Sequence, residues 1–204
     1  MARKVCSQCH RPQKVCICDF ITAIDNRVEI GVFQHPTEAG QIKGTAIIAE
    51  LALKKSKRWV GETLDDAPEL QQWLKSGDKV FLLYPPTEGQ QTKVNSVNDL
   101  HNMYQQQMPF KILVLDGTWR KTYKMMQLNP ELMVLPRVVL NPQTPSAYKV
   151  RKQKNEQSLS TVEAIVELLS EIESDRDKYQ PVLAAFEQVQ NQQLAFREEP
   201  AKPL

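Results

Sequence analysis

The segment Lys111-Ile-Leu-Val-Leu-Asp-Gly-Thr-Trp119 decides the fold, because an apolar run passes through a short polar loop into a helix. After the lysine, the run stays apolar as far as Leu115, which is typical of a strand buried on both faces. A helix is predicted over residues 119–128, and Asn129-Pro130 ends it. Because a buried strand followed at once by a helix is the unit from which parallel sheets are built, the segment predicts an α/β fold.

The rest of the chain repeats this alternation of strands and helices. β-Branched and aromatic residues predict further strands at residues 28–34, 80–84 and 134–140, with Pro136 interrupting the last. Apolar residues at helical spacing predict helices at residues 45–55, 99–107, 160–172 and 180–193. A capping box of Ser160 and Glu163 marks the start of the helix at residues 160–172. The predicted fold class is therefore α/β, a mostly parallel sheet with flanking helices.

Three loops lie where such a sheet binds ligands. Ligands in open parallel sheets bind outside the carboxyl ends of the strands, which selects the loops after Phe33, Tyr84 and Leu115. The chain has no glycine-rich dinucleotide fingerprint and no phosphate-binding Walker loop. These absences disfavour a conventional dinucleotide or nucleoside-triphosphate site.

The loop after Leu115 concentrates reactive groups. Asp116 offers a carboxylate that can act as a general base or position a ligand, and Gly117 allows close approach of the backbone. Thr118 adds a hydroxyl and an amide at the start of a helix, and Trp119 can stack on a flat ring. A structural interpretation is also open, in which Asp116-Gly117 is only a turn and helix cap and Trp119 is buried in the core.

Two further segments can contact a ligand. His35, in His35-Pro36-Thr37-Glu38, follows a strand and can donate to a phosphate or a base edge, although an isolated histidine is often purely structural. The segment Tyr148-Lys-Val-Arg-Lys-Gln-Lys154 combines four cations with an aromatic residue. That combination suits contact with RNA, and its alternative is a solvated loop.

Charge is divided unevenly along the chain. Residues 1–155 carry 22 Lys and Arg against 14 Asp and Glu, whereas residues 156–204 carry 4 against 10. The basic part favours a polyanionic partner such as nucleic acid, although an ordinary solvated surface can have the same composition. With 204 residues, 41% of them hydrophobic, the chain can bury one core with a small appendage. No apolar run is long enough to span a membrane, so we expect a soluble protein without membrane contact.

All the cysteines lie close to the amino terminus, as Cys6, Cys9, Cys16 and Cys18 in the spacing C-x2-C-x6-C-x-C. Such short spacings suit a knuckle that places four thiolates around a tetrahedral zinc ion. Disulfides are an alternative, but the chain begins without an apolar signal stretch, which favours a reducing compartment. Inert thiols are a third interpretation. His10 lies inside the cluster and is expected on the surface, since four thiolates already complete the metal's shell.

Taken in order, these motifs resemble the DTW-domain family, in particular its bacterial tRNA-uridine aminocarboxypropyltransferases. The resemblance rests on the cysteine spacing, His35-Pro36-x-Glu38, Asp116-x-Thr118-Trp119, Tyr148-x-x-Arg151 and Ser160-Thr161-x-Glu163-Ala164. No single motif is decisive, but five in this order are specific. The resemblance extends from Cys6 to Ala164, and the helical segment beyond is its least diagnostic part.

The resemblance implies an enzyme that uses S-adenosylmethionine as co-substrate. The implied reaction transfers the 3-amino-3-carboxypropyl group to N3 of a tRNA uridine, in the variable loop at position 47, and yields acp3U and methylthioadenosine. The implied fold is SPOUT-like, with a knotted cofactor site. The expected domains are a zinc-binding knuckle at residues 1–22, a catalytic domain at 23–175, and a helix and tail at 176–204. We expect tRNA as the partner, no DNA, a cytoplasmic location, and either a monomer or a dimer.

Site roles carry over from the resemblance residue by residue. The expected catalytic residues are Asp116, Thr118 and Trp119, with Asp116 either taking the N3 proton or only orienting the uridine. The co-substrate is expected to contact Leu115, Gly117, Thr118, Tyr84, Pro85, Ser160 and Thr161. The tRNA is expected to contact His35, Arg120, Arg151 and Lys152. Zinc is expected on Cys6, Cys9, Cys16 and Cys18.

Two other functions fit the same residues. A SPOUT-like RNA methyltransferase would use the same co-substrate but present its methyl group. A zinc-knuckle RNA-binding factor would use the basic surface without catalysis.

Overall fold

A single parallel sheet forms the centre of the molecule. The computed structural model describes residues 4–41, 44–86, 92–140 and 159–198. Within these ranges the sheet has the strand order β2-β1-β5-β3-β6-β4, and every neighbouring pair is parallel. The strands are β1 (Glu29–Gln34), β2 (Ser56–Val60), β3 (Lys79–Leu83), β4 (Val94–Ser96), β5 (Phe110–Asp116) and β6 (Arg137–Val139). The predicted α/β class with a mostly parallel sheet is confirmed.

Helices cover both faces of the sheet. The described helices are α1 (Pro36–Ala39), α2 (Ala46–Ala52), α3 (Pro68–Leu74), α4 (Val97–Gln105), α5 (Trp119–Leu128), α6 (Pro130–Met133), α7 (Thr161–Glu173) and α8 (Arg176–Glu198). On β5, Ile112 and Val114 face a core shared with α2, α4, α7 and α8. Leu113 and Leu115 face a second core shared with α3, α5 and α6. Since side chains alternate along a strand, the run from Ile112 to Leu115 supplies apolar residues to both cores, and all seven residues of β5 are buried.

The boundaries of several elements differ from the sequence prediction. Helix α5 has the predicted bounds, and the capping box is present, with the Ser160 hydroxyl accepting from the Glu163 amide. The strand predicted at residues 134–140 is wrong in its first half, because Pro130 begins the short helix α6 and pairing starts only after Pro136. Strand β2 was not predicted, since only Trp59 is buried in its largely polar sequence. The last helix begins at Arg176, earlier than predicted.

The amino-terminal cysteine segment and α8 pack against the same core. Ile17 is fully buried beside Tyr179 and Phe186 of α8 in one cluster. The Gln192 amide donates to the carbonyl of Cys16 at 3.3 Å. Among the described residues, no helix is both long and apolar enough to cross a membrane. The expected division at residues 22 and 175 stays a prediction.

A substitution of Gly31 in β1 tests how tightly the second core is packed. A Cβ at this position would lie 2.8 Å from the Trp73 ring and 3.0 Å from the Trp59 ring. We therefore expect Gly31→Ala to lower the free energy of unfolding by about 1–3 kcal/mol in urea titrations. Gly40→Ala is the control, because its added Cβ meets nothing within 4 Å. Equal effects of the two substitutions would contradict this account.

Candidate active site and metal centre

The candidate active site lies at the edge of the sheet where the carboxyl ends of the strands meet. Strands β1 and β5 are neighbours, and their register places Gln34 opposite Asp116. The backbone continues this contact, since the His35 amide donates to the Asp116 carbonyl at 2.9 Å. Strand β3 pairs with the other side of β5 and brings Tyr84 to the same edge. The three loops selected from the sequence therefore meet.

The Asp116 carboxylate is held from two sides. The Gln34 side-chain amide donates to its Oδ2 at 2.7 Å, and the Thr161 hydroxyl donates to its Oδ1. Asp116 is only 7% exposed. A carboxylate that accepts from two fixed donors keeps one orientation, because rotation would break both hydrogen bonds. The contact also joins the end of β5 to the first turn of α7.

A second row of polar groups fixes the donor amide of Gln34. Arg58 in β2 donates through Nη1 to Gln34 Oε1 at 2.8 Å and through Nε to Glu50 Oε2 at 2.6 Å. Because Oε1 accepts from Arg58, the NH2 group of Gln34 must face Asp116. Sequence reasoning missed both Gln34 and Arg58. A polar residue ending an apolar strand was a usable signal for Gln34, but Arg58 is recognisable only once β1 and β2 are paired.

The start of α5 places Thr118 and Trp119 beside Asp116. Thr118 is the N-cap residue, and its hydroxyl makes no capping hydrogen bond. Trp119 is 57% exposed, and its ring meets the Tyr84 ring edge-on, with centroids 5.9 Å apart. The Arg137 guanidinium lies 5.6 Å from the Tyr84 centroid. The interpretation of Trp119 as a buried core residue is therefore wrong, and its ring is available to a ligand.

His35 is bound on both of its ring nitrogens. The Thr37 amide donates to Nδ1 at 3.2 Å, so Nδ1 accepts and Nε2 carries the proton that is donated to Glu62 at 3.1 Å. Lys124 pairs with the same carboxylate at 2.9 Å, and Lys124 and His35 together hold the pKa of Glu62 below its ordinary value. A contact between His35 and tRNA stays a prediction. To make it, the His35 ring would have to break its hydrogen bond with Glu62 or with Thr37.

The remaining predicted residues that the structure describes lie around this edge. Leu115 is buried in the second core, Gly117 is half-buried, and Pro85 and Arg120 are exposed. Ser160 lies next to Thr161 at the start of α7 and caps that helix. Arg151 and Lys152, with the rest of the basic stretch at residues 148–154, lie outside the described residues.

The four cysteines converge as the sequence predicted. Their sulfur atoms all lie within 4.8 Å of one another, with 3.7 Å between Cys6 and Cys18 and 3.8 Å between Cys9 and Cys16. Disulfide sulfurs would be about 2.0 Å apart. Sulfurs arranged tetrahedrally at about 2.3 Å from a metal are about 3.8 Å apart, so these distances fit a four-thiolate metal site. His10 is exposed and is not among the potential ligands.

The four thiols affect one another's ionisation. The amides of Cys9 and Gln8 lower the pKa of Cys6 to about 6. Burial and the neighbouring thiols raise the pKa of Cys18 to about 12. Neighbouring thiolates repel one another, so all four can be ionised together at neutral pH only around a positive charge.

Comparisons with known proteins agree on one family. The DTW domain profile matches residues 3–194. The chain is 30% identical to tRNA-uridine aminocarboxypropyltransferase 2 of Macaca fascicularis, over 85% of this chain and 58% of that protein. It is 30% identical to the protein of the same name from Drosophila melanogaster, over 84% of this chain and 68% of that protein. The chain thus spans little more than half the length of the first of these relatives. No solved structure matches the chain.

The contact between Thr161 and Asp116 can be tested through stability. Thr161→Val keeps the shape of the side chain but removes the hydroxyl that donates to the buried carboxylate. We expect a loss of about 1–3 kcal/mol in the free energy of unfolding, since one oxygen of a buried charged group loses a hydrogen bond. The Thr161→Ser variant keeps the hydroxyl, so its free energy of unfolding should fall much less. Urea unfolding in which the serine variant is as unstable as the valine variant would contradict the contact.

Proposed function

Because the chain belongs to the DTW domain family, we propose that it transfers the 3-amino-3-carboxypropyl group of S-adenosylmethionine to a uridine of tRNA. The names of its relatives support both the transferred group and the acceptor. The observation that carries the proposal is the Asp116 carboxylate, held by Gln34 and Thr161 beside the exposed ring of Trp119. The enzyme would act in the cytoplasm, as a monomer or a dimer.

The proposed reaction is a displacement at carbon. A bond forms between uridine N3 and the γ-methylene of the amino acid arm, while the bond from that methylene to the sulfonium sulfur breaks. The electron pair leaves with sulfur as methylthioadenosine, and the N3 proton passes to a base. Since a sulfonium has three carbons that can be attacked, the enzyme must select one by holding the methylene in line with N3.

Asp116 is the proposed partner of the uridine N3–H group. A carboxylate oxygen can accept more than one hydrogen bond, so Asp116 can keep Gln34 and Thr161 and still accept from the uridine. It would act as the base or orient the ring for attack. Thr118 lies within the same loop with its hydroxyl not used as a cap, and the Trp119 ring would pack against a flat base.

The co-substrate would lie between the carboxyl edge of the sheet and the start of α7. The proposed contacts are Tyr84, Pro85, Leu115, Gly117, Thr118, Ser160 and Thr161. The first turn of α7 is suited to the carboxylate of the amino acid arm, because amides and the helix dipole favour an anion there. The proposed tRNA contacts are His35, Arg120, Arg151 and Lys152. A SPOUT-like knot at this site remains a prediction.

We propose zinc as the metal held by the four cysteines. Four thiolates satisfy tetrahedral zinc and leave no open position, so the ion would be structural and would take no part in the transfer. Its contribution would be to hold the amino-terminal segment against α8, where Gln192 meets Cys16.

A mass measurement of the product tests the proposed reaction. Unmodified tRNA would be incubated with the protein and S-adenosylmethionine, then digested to nucleosides. We expect one uridine to gain C4H7NO2. A gain of CH2 would indicate a methyltransferase instead, and no change on any tRNA would favour a binding factor.

Substitution of Asp116 tests the residue assigned to the chemistry. We expect Asp116→Asn to reduce turnover by about 10²–10⁴-fold, because a positioned acid–base group is lost while the size of the side chain is kept. Single-turnover assays with saturating tRNA would measure this, with Asp65→Asn as control, because Asp65 is an exposed residue of the 64–66 turn. Wild-type turnover by Asp116→Asn would show that the carboxylate is not needed.

Metal analysis tests the cysteine site. We expect one zinc ion per chain, lost in Cys9→Ser and retained in His10→Asn, since asparagine tolerates the positive φ of 54° at that residue. With zinc at a thousand times its dissociation constant, chelation should lower the free energy of unfolding by about 4 kcal/mol. Full stability and no bound metal in the wild-type protein would contradict a structural zinc site.

A further inference from the structure

Helix α5 carries exposed side chains that extend beyond the catalytic loop. Thr122, Met125 and Met126 are buried against the sheet. Trp119 and Tyr123 lie at the margin of this buried face and are 57% and 50% exposed. Two large aromatic side chains four residues apart lie on the same side of a helix, one turn from each other. Adjacent exposed aromatic side chains on a protein surface often mark a binding site.

Positive charge lies next to this aromatic pair. At helical spacing, Arg120 and Lys124 form a second row beside Trp119 and Tyr123, and the ten residues of α5 include three cations and no acid. Lys121 pairs with Glu38 at 2.7 Å and Lys124 with Glu62 at 2.9 Å. Lys124 is exposed and Glu62 is partly exposed, and ion pairs that are open to solvent contribute little, so Lys124 can exchange Glu62 for another anion.

We propose that this face of α5, made of Trp119, Arg120, Tyr123 and Lys124, binds the tRNA strand that flanks the target uridine. A neighbouring base stacks on Tyr123, and the strand's phosphates lie along Arg120 and Lys124. The proposal deepens the proposed function and rests on it for the identity of the RNA. It also adds two residues, Tyr123 and Lys124, to those expected from the sequence.

The geometry of α5 supports an RNA strand that runs from the catalytic loop along this helix. Trp119 follows Asp116 by one short loop, and Tyr123 lies about 6 Å further along the axis of α5. The edge-on contact with Tyr84 holds the Trp119 ring in place. A base next to the target would therefore reach Tyr123 without leaving the edge of the sheet.

The chemistry of this face favours RNA over a protein partner. Aromatic rings interleaved with cations suit single-stranded nucleic acid, where each base offers a flat face and each nucleotide a phosphate. Protein interfaces are also rich in Tyr, Trp and Arg but are depleted in lysine, so the feature of this face that favours RNA is its run of cations without an acid. A second copy of the chain would present the same cations to this face, which makes self-association through it unfavourable.

Equilibrium binding of tRNA to the 204-residue chain is the test. We expect Tyr123→Leu to weaken tRNA binding by about 5–100-fold, because a stacking ring is lost while an apolar side chain remains. Tyr123→Phe keeps the ring and should bind within about twofold of wild type. Since Tyr123 is half-exposed, both variants should keep the wild-type melting temperature.

The salt dependence of binding tests the cations separately. Arg120→Gln should weaken binding. It should also lower the magnitude of the slope of log affinity against log salt by about one, because one phosphate contact is lost. Lys75→Gln is the matched control, because this exposed lysine precedes β3 and lies at the opposite edge of the sheet. Unchanged binding in both Tyr123→Leu and Arg120→Gln would overturn the proposal.

The outcomes separate this inference from the proposed reaction. Wild-type protein that modifies tRNA, with both Tyr123→Leu and Arg120→Gln binding as tightly, would overturn the binding face alone. Wild-type protein that binds tRNA through Tyr123 but adds nothing to uridine would overturn the transferase and support the face. Wild-type protein that does not bind tRNA would overturn both the binding face and the transferase. If Tyr123→Leu lost a dimer without losing RNA affinity, the face would be assigned to self-association instead.

Discussion

The parallel pairing of β1 with β5 is the constraint on which the rest of the site depends. Its register sets Gln34 beside Asp116, and the backbone contact from His35 to Asp116 extends the pairing into the loops. A shift of one residue would turn each side chain to the other face of the sheet and separate these groups. Such a shift is costly because the side chains of β5 pack closely into two different cores, which would both have to rearrange. The same packing that stabilises the core thus aligns the polar groups at its end.

Polar contacts then extend outward from this pair in two directions. Through Gln34, Arg58 and Glu50, Asp116 is connected to β2 and α2. Through Thr161 it is connected to α7, which is far away along the chain. The carboxylate is therefore oriented by elements from three parts of the sequence. Such a network is the usual way in which a fold gives a reactive group one geometry.

Structural features that depend on residues close together in the sequence could be predicted from local sequence patterns. The apolar run before Asp116, the bounds of α5 and the capping box at Ser160 each depend on neighbours within a few residues, and each was predictable. The contact of Arg58 with Gln34 was not, because it arises from the pairing of a polar edge strand that has little strand signal of its own. The exposure of Trp119 was also not predictable, since an apolar residue at a helix start has the same pattern whether it packs inward or outward. Motif order supplied the family that the periodicity of single elements could not.

The contact between the cysteine segment and α8 links the two ends of the chain. Ile17 and Phe186 share one core, and Gln192 reaches the backbone of Cys16. A metal held by the cysteines would therefore not stabilise a separate small loop. Its binding free energy would enter the cooperative unfolding of the whole molecule, so that the amount of folded protein depends on the free concentration of the ion. In a cell short of that metal, the protein would be lost by degradation rather than persist as an inactive fold.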